Sequence, residues 1–165
     1  MLFITVSRQT GSFGKEITET LAKKLDLPLI NRDLVMSQWF PEVANEHELH
    51  MLAESPGFFL NPSAQGFTFA EILENKLKAY VEQQPAIIFG LGAQVIFANH
   101  PAALHVKIIA SPAVRIERVM QTHSLERKDA ERFLKLTDRK HKRYISTLYE
   151  VDWSDPTLYH ITLNT

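Results

Sequence analysis

Cysteine is absent from the sequence, and its absence excludes disulfide bonds, thiol catalysis and cysteine-bound zinc. No apolar run approaches the roughly 20 residues that cross a bilayer. The first residues also lack the cationic region that opens a signal peptide. We therefore expect a cytoplasmic protein with no membrane partner.

A surplus of charge of either sign is also missing. The 18 Lys and Arg residues nearly balance the 19 Asp and Glu residues, so that the formal net charge is −1. Affinity for a polyanion would therefore require a local basic patch. Hydrophobic residues make up 45% of the 165 positions, which predicts a single globular domain over residues 1–165.

Short apolar segments alternate with helical patterns along the chain. Strands are predicted at residues 2–6, 28–30, 86–89, 104–110 and 159–163. Helices are predicted at 15–25, 32–40, 71–84, from Ser111-Pro112 onward, and at 124–149 with Ser124 as the N-cap. The stretch 41–70, rich in Pro and Gly, is interpreted as irregular. The alternation predicts a three-layer α/β fold, with helices on both faces of a mainly parallel five-stranded sheet.

The turn between the first strand and the first helix is the main functional signal. It consists of Thr10, Gly11, Ser12, Phe13, Gly14, Lys15 and Glu16. Such a turn aims successive main-chain N–H groups at one point, and the helix N-terminus adds positive potential for phosphate. Glycine permits positive φ and close approach of a ligand, and Lys15 would reach the β- and γ-phosphates of ATP.

The turn departs from the pattern G-x-x-x-x-G-K-[ST] at two positions. Gln9 stands in place of the first glycine, and Glu16 stands in place of the hydroxyl residue that normally ligates Mg²⁺. An ordinary strand–helix turn, with Glu16 complementing the helix dipole, is therefore the alternative interpretation of these residues.

A longer pattern surrounds the turn and resembles the opening of the cytidylate-kinase-like family, a branch of the P-loop nucleoside monophosphate kinases. The pattern is Ser7-Arg8-Gln9-Thr10-Gly11-Ser12-Phe13-Gly14-Lys15-Glu16-Ile17. The similarity continues in order through residues 27–34, 87–93, 110–112 with Arg115 and Arg118, 137–139, 143–144, 152–156, Tyr159 and 164–165. This resemblance implies a P-loop kinase fold with a helical lid. It also implies phosphoryl transfer from ATP, with Mg²⁺, to a nucleoside monophosphate or similar small acceptor.

The resemblance also implies roles for individual residues. The donor phosphates would be held by residues 10–16 with help from Arg115 and Arg118. Catalysis would fall to Lys15, Asp138, Arg139 and Arg143, the last three on a lid-like helix at about 124–150. The acceptor would contact Asn31, Arg32 and Asp33, beside an acceptor-binding insertion at about 38–75. No residue is assigned as a metal ligand.

Three departures from the family pattern keep a second hypothesis open. Asn31 stands where an acceptor-orienting aspartate is usual, and Leu91 stands where an arginine is usual. The sequence stops at Thr165, where the resembled family continues through an adenine-contacting loop and a closing helix. The second hypothesis is a catalytically degenerate nucleotide-binding protein that acts as a sensor or assembly partner. An uncovered sheet face would also favour a homodimer.

The segment from Arg127 to Arg143 is strongly basic. Its eight Lys and Arg residues are opposed by three acidic ones, so that five positive charges are in excess. Arg139 and Arg143 lie four residues apart, so on a helix they would share a face and could grip one phosphate. Asp138 could orient Arg139 or a Mg²⁺-bound water. A solvated polar helix and a nucleic-acid patch are alternatives, and nucleic acid is the less favoured partner.

Two further patterns are interpreted as structural. The run His47-Glu48-Leu49-His50 is one residue short of H-E-x-x-H and has no evident third ligand, so an exposed helix is favoured over a zinc site. Phe58, Phe59, Phe67 and Phe69 are interpreted mainly as core residues, with stacking on an acceptor base as the alternative.

Overall fold

Five parallel strands form the centre of the computed structural model, which describes residues 2–165. The strands are β1 (Phe3–Arg8), β2 (Leu29–Ile30), β3 (Ile87–Phe89), β4 (Ala103–Ile109) and β5 (Ile161–Asn164). Their order across the sheet is β2-β3-β1-β4-β5, and every neighbouring pair is parallel. The predicted five-stranded sheet is confirmed, and the carboxyl ends of its strands meet at one edge.

Helices connect the strands. They are α1 (Gly14–Leu25), α2 (Arg32–Leu34), α3 (Glu46–Glu54), α4 (Phe69–Gln83), α5 (Ala93–Ile96), α6 (Pro112–His123) and α7 (Arg127–Tyr149). After α2 the chain continues as a π-helical turn (Val35–Trp39) and a 3-10 turn (Phe40–Glu42), and further 3-10 turns lie at Pro56–Leu60 and Pro156–Leu158. Within residues 2–165, no helix is both long enough and apolar enough to cross a membrane.

The interpretation of residues 41–70 as irregular is wrong in part, because this stretch contains α3. Asn45 begins the helix with a capping box: its side chain accepts a hydrogen bond from the Glu48 N–H, and the Glu48 carboxylate accepts one from the Asn45 N–H, each at 2.9 Å. The Asn-x-x-Glu pattern is a helix-start signal of known type. The neighbouring prolines and glycines obscured it.

The prediction that Ser124 caps the long polar helix is also wrong. Ser124 instead ends α6 in a left-handed conformation, with φ 52°, and its N–H bonds the Met120 carbonyl. The long helix α7 begins three residues later, after Glu126, without a side-chain cap. At the other end of α6, the Ser111 side chain accepts from the Val114 N–H and Pro112 opens the helix, as predicted.

Side chains that alternate along the strands build a core on each face of the sheet. Phe3 and Ile88 are fully buried on one face, where Leu73 of α4 packs against them. Val6 and Ala22 join a second cluster, which places α1 on the other face. Because successive strand residues point to opposite faces, both layers follow from the short apolar runs. The three-layer arrangement is confirmed.

The phenylalanines of the 58–69 stretch divide between core and surface. Phe59 and Phe69 are buried in the larger cluster, and Phe58 stacks on Phe69 with ring centroids 5.8 Å apart. The core interpretation is confirmed for these three. Phe67 instead remains 55% exposed.

A buried lysine anchors the segment that follows α7. The Lys107 ammonium group donates to the Trp153 carbonyl at 3.0 Å and lies over the rings of Trp153 and Tyr159. The Trp153 indole in turn donates to the Ser7 hydroxyl at 2.8 Å. Burial lowers the pKa of the Lys107 amine. The run around Trp153 therefore fastens the chain to β1 and β4 before it enters β5.

The edge strand β5 exposes all four of its residues. Ile161 and Leu163 are 43% and 45% exposed, so this end of the sheet presents apolar surface. The homodimer stays a prediction.

Substitution of two glycines in the turn after β3 tests how closely α7 packs on the sheet. Gly90 and Gly92 share a φ of +73°, but only at Gly92 would a Cβ overlap a neighbour, the Tyr149 ring at the end of α7. We expect Gly90→Ala to lower the free energy of unfolding by about 1 kcal/mol, because of its left-handed backbone. Gly92→Ala should lower it by about 1–3 kcal/mol more, because the ring must move. Equal losses in urea denaturation would contradict the close packing of Tyr149.

Candidate active site

The turn between β1 and α1 presents main-chain N–H groups that have no protein partner. Among residues 2–165, no protein atom accepts a hydrogen bond from the N–H groups of Gly11, Phe13, Gly14, Lys15 and Glu16. The Ser12 N–H turns back onto the Gln9 carbonyl at 3.3 Å. Three of the unpartnered groups belong to the first turn of α1, where the helix dipole is positive. The turn thus offers hydrogen-bond donors to an anion.

Side chains from distant parts of the chain hold the carbonyl groups of this turn. The bonds run from Arg115 Nε to Thr10 O (2.7 Å), from Arg118 Nη1 to Gly11 O (3.2 Å) and from Thr165 Oγ1 to Ser12 O (2.8 Å). In a planar trans peptide the C=O and the following N–H point in opposite directions. Each following N–H group therefore points away from the side chain that holds its carbonyl. The Ser12 N–H then meets the Gln9 carbonyl, whereas those of Gly11 and Phe13 meet no protein acceptor among residues 2–165.

The two glycines of the turn serve different purposes. Gly11 takes a positive φ of +80°, a conformation that glycine adopts without strain. Gly14 is helical, and a Cβ there would overlap the Cβ of Arg8, so close packing is its requirement. Phe13 takes the second positive φ of the turn, at 59°, and the Arg118 guanidinium lies 4.1 Å from its ring centroid.

The Lys15 side chain is free to move toward a ligand. It is 65% exposed, and the Glu19 carboxylate, 4.0 Å away, is its ion-pair partner. An exposed pair of this kind holds a lysine weakly. Glu16, also in the first turn of α1, is exposed.

A buried arginine joins the turn to α7. The Arg115 side chain is 7% exposed, and its Nη2 lies 2.6 Å from Asp138 Oδ1. Asp138 thus pairs with Arg115, whereas the sequence led us to expect Arg139 or a Mg²⁺-bound water as its partner. Since Arg115 also holds the Thr10 carbonyl, this pair connects the turn and α7 directly.

Arg139 and Arg143 lie on the exposed surface of α7, four residues apart as expected. Within the described part of the chain, neither forms an ion pair with a carboxylate. Both guanidinium groups are therefore available to an anionic ligand.

The residues expected at the acceptor have structural partners. Asn31 caps α2, with its Oδ1 accepting from the Leu34 N–H at 2.9 Å. Arg32 Nη2 donates to the carbonyls of Leu52 and Ala53, at 2.9 and 3.0 Å, and so holds the end of α3. Asp33 is exposed.

The turn after β3 completes this side of the site. Leu91, which stands where the family usually has an arginine, is 9% exposed and packs into the larger core cluster. Its φ is 62°, so the side chain is placed by a left-handed turn. An apolar group therefore occupies the position at which the family usually has an arginine.

Two residues near the turn were missed by the sequence analysis. Arg8, at the carboxyl end of β1, places its Nη1 3.1 Å from His141 Nε2 and lies over the Phe89 ring at 4.7 Å. The two partners are 133 positions apart, so no local pattern connects them. The Ser-Arg-Gln sequence before the turn was the signal that could have drawn attention to Arg8.

Metal ligands do not gather in the described part of the molecule. Across residues 2–165, no three His, Asp or Glu side chains are arranged to hold a metal ion. His47 and His50 lie on α3, in the helical setting that the sequence favoured.

The protonation of His141 should make stability depend on pH. Burial, and next the positive charge of Arg8, lowers the pKa of His141 to about 4. The charges of Arg115 and Arg32 lower this pKa further, and the negative charge of Asp138 raises it. Because the unfolded chain binds this proton near pH 6.5, the folded state loses stability as pH falls from 6.5 toward 4. The loss amounts to about 3 kcal/mol.

We expect His141→Gln to weaken that dependence. Glutamine keeps an oxygen that can accept from Arg8, but it does not titrate. The carboxylates contribute equally to both proteins, so they cancel when the free energies of unfolding of variant and wild type are subtracted. Denaturant unfolding at pH 4.5 and pH 7.5 measures both proteins. An equal change in the free energy of unfolding between the two pH values in both proteins would contradict a neutral, desolvated His141.

Solved structures share the fold over nearly the whole chain. A protein from Eubacterium ventriosum ATCC 27560 superposes with a TM-score of 0.75 and 23% identity, covering 99% of this chain and 88% of that one. For shikimate kinase from Bacteroides thetaiotaomicron the values are 0.55 and 17%, with coverages of 99% and 86%. For a gluconokinase from Sinorhizobium meliloti 1021 they are 0.52 and 12%, with coverages of 99% and 82%.

These likenesses show the fold of the P-loop kinases, which the sequence analysis predicted. No curated protein matches the sequence. The family model described as cytidylate kinase-like matches residues 3–165, and the chain therefore belongs to the cytidylate kinase-like family.

Proposed function

We propose that the protein is a small-molecule kinase that transfers a phosphoryl group from ATP to a nucleoside monophosphate or a similar small acceptor. One observation carries the proposal: the unpartnered N–H groups of the turn, with Lys15 beside them, match the acceptor-rich tail of a triphosphate. Family membership supports kinase chemistry in general.

Catalysis of this kind depends on position and on neutralisation of charge. The turn would hold the donor phosphates through its N–H groups, and Lys15 would neutralise their outer oxygens. Arg118 would act from the border of the turn, where it already touches Phe13 and the Gly11 carbonyl. Arg115 would act by holding the turn in shape.

The α7 helix would serve as the lid. Arg139 and Arg143 point from it without carboxylate partners among the described residues, so they would neutralise the transferring group. Asp138 would keep α7 in register with the turn through Arg115. Asn31, Arg32 and Asp33, with the neighbouring segment 38–75, would form the acceptor side.

ATP fits the donors of the turn, and Mg²⁺ would arrive on its phosphates. Mg²⁺ normally keeps several waters and takes one or two carboxylates together with substrate phosphates. Glu16 is the carboxylate of the turn, and it stands in place of the hydroxyl residue that normally ligates Mg²⁺. It would therefore be the residue that holds the ion. The ion would supply charge neutralisation on the phosphate oxygens.

A coupled assay of ADP release tests the proposal. Mg-ATP is supplied with a panel of nucleoside monophosphates, together with shikimate and gluconate as small hydroxylated acceptors. Turnover with one acceptor above the ATP-only rate supports the proposal. A folded protein without turnover on the whole panel refutes the kinase activity.

Leu91, Asn31 and Arg32 favour a second candidate, a degenerate nucleotide-binding protein. Leu91 places an apolar group where the family usually has an arginine, and Asn31 and Arg32 already bond to main-chain atoms. Thermal unfolding with ATP separates the candidates. A ligand at 100 times its dissociation constant adds about 2.7 kcal/mol of stability. Stabilisation without turnover selects the second candidate.

Removal of the Lys15 ammonium group should abolish the phosphate-dependent part of ATP binding. We expect Lys15→Ala to weaken ATP binding by at least about tenfold, because it deletes a charge-assisted contact. Its stability should change by less than about 0.5 kcal/mol, since the side chain is exposed. Lys24→Ala, an exposed lysine at the far end of α1, is the matched control. Equal ATP affinity of the two variants in calorimetry would rule out phosphate binding at the turn between β1 and α1.

Removal of both lid arginines should affect catalysis more than folding. We expect Arg139→Ala with Arg143→Ala to lower kcat by about 100-fold or more, because each would neutralise transition-state charge. Arg132→Ala, exposed on the same helix, is the control.

The same variants address the nucleic-acid alternative. Oligonucleotide binding that weakens steeply with salt and disappears in the double variant would favour that alternative over the lid. Unchanged kcat in the double variant would remove the lid role.

A further inference from the structure

Phe13 holds a backbone conformation that is unusual for a bulky residue. Its φ of 59° lies in the left-handed region, where side chains other than glycine are strained. Four other non-glycine residues share this conformation among residues 2–165, and each has a structural reason. Asp26, Ser124 and Glu150 end helices. Leu91 packs into the larger core cluster.

Neither reason applies to Phe13. It stands immediately before α1 rather than at the end of a helix, and within residues 2–165 it belongs to none of the three core clusters. It also remains 45% exposed. An exposed phenylalanine is ordinary on a protein surface, but one that also holds a strained backbone is not. A strained residue that packing does not explain supports a hypothesis of function.

Arg118 covers one face of the Phe13 ring. Its guanidinium carbon lies 4.1 Å from the ring centroid, which is the geometry of a cation–π contact. The same guanidinium group donates from Nη1 to the Gly11 carbonyl at 3.2 Å and to the Thr165 hydroxyl at 2.9 Å, and these bonds fix its position. The exposed area of Phe13 therefore belongs to the other face and to the edge of the ring.

The ring is attached to the turn itself. The Phe13 N–H is one of the donors that have no protein acceptor among residues 2–165. A phosphate that accepts a hydrogen bond from this N–H lies next to the residue that carries the ring. The rest of the phosphate-bearing molecule is then held close to the ring, and no other element has to bring the two together.

A nucleobase suits this surface. Bases stack on aromatic side chains with their flat faces, and loss of such a stack weakens binding by about tenfold or more. Arg118 adds a positive charge behind the ring, and across the described residues no carboxylate oxygen lies within 4.0 Å of it. The ring offers no hydrogen-bonding edge, so stacking alone would favour the larger purines without distinguishing adenine from guanine.

We propose that the Phe13 side chain binds the base of the nucleotide whose phosphates occupy the turn, by stacking on the free face of its ring. The inference rests on the proposed function, since it requires phosphates in the turn. It gives Phe13 a role in specificity that its N–H alone does not have, because the ring favours a purine nucleotide over a bare phosphate chain.

The test compares ATP with inorganic tripolyphosphate, which carries phosphates and no base. Both are titrated by calorimetry, with Mg²⁺, into the wild type, Phe13→Leu and Phe13→Tyr. Leucine keeps a bulky apolar side chain on the left-handed backbone but lacks the flat ring, whereas tyrosine retains the ring. We expect Phe13→Leu to weaken ATP binding about tenfold and to leave tripolyphosphate affinity within about twofold of the wild type. Phe13→Tyr should retain both affinities.

Two further nucleotides measure the effect of base size. GTP has a two-ring base, so Phe13→Leu should weaken its binding as much as that of ATP. CTP has a single-ring base with less area to stack, so its binding should weaken less. Equal weakening of CTP and ATP would contradict stacking as the source of the preference.

Equal weakening of ATP and tripolyphosphate in Phe13→Leu would mean that the ring only shapes the turn, and it would overturn the inference. Unchanged ATP affinity in that variant would overturn it as well. In either case, tripolyphosphate binding that Lys15→Ala weakens would leave the kinase proposal intact. Selective loss of ATP affinity in Phe13→Leu, in a protein that turns over no acceptor, would support the stack and refute the kinase. Absence of binding of either ligand by the wild type would refute both.

Discussion

The turn between β1 and α1 (residues 10–16), a sharp bend of the chain, is the constraint on which the rest of the structure depends. Its carbonyl groups are held by side chains from α6 and from the residue that follows β5, so its peptide planes cannot turn freely. The Gly11 and Phe13 N–H groups that follow two of these carbonyls, together with those of Gly14, Lys15 and Glu16, find no protein acceptor among residues 2–165. The Ser12 N–H instead bonds the Gln9 carbonyl. Unpaired donors are unfavourable in a folded protein unless water or a ligand satisfies them. A polyanion would satisfy several of them at once.

Two arginines extend this constraint to α7. Arg115 bonds both the bend and Asp138, and Arg8 bonds His141 one helical turn later. Arg115 also bonds the Thr10 carbonyl of the bend, and the Arg8 Cβ packs against Gly14, the first residue of α1. A change in the backbone of the bend would therefore move side chains that contact α7. A ligand that moved α7 would therefore also change the contacts that shape the turn. Trp153 anchors the end of the same segment to β1 through Ser7.

The strands, the bend and the first helix could be predicted from local patterns, because apolar runs and the glycine turn are written in neighbouring residues. The α3 capping box was equally local and was overlooked amid prolines. Ser124 shows the reverse error, since a serine suited to a helix start instead took a left-handed C-cap. The partners of Arg8 and Asp138 lie far away along the chain, and only the folded structure brings them together.

The central claim is that main-chain N–H groups of the bend bind the phosphates of ATP. The most direct measurement is the two-dimensional ¹H–¹⁵N NMR spectrum of the protein titrated with Mg-ATP. The account predicts large, saturable downfield shifts at Gly11, Phe13, Gly14, Lys15 and Glu16, because their protons would enter hydrogen bonds with phosphate oxygens. Unchanged signals at these residues in the presence of saturating Mg-ATP would contradict it.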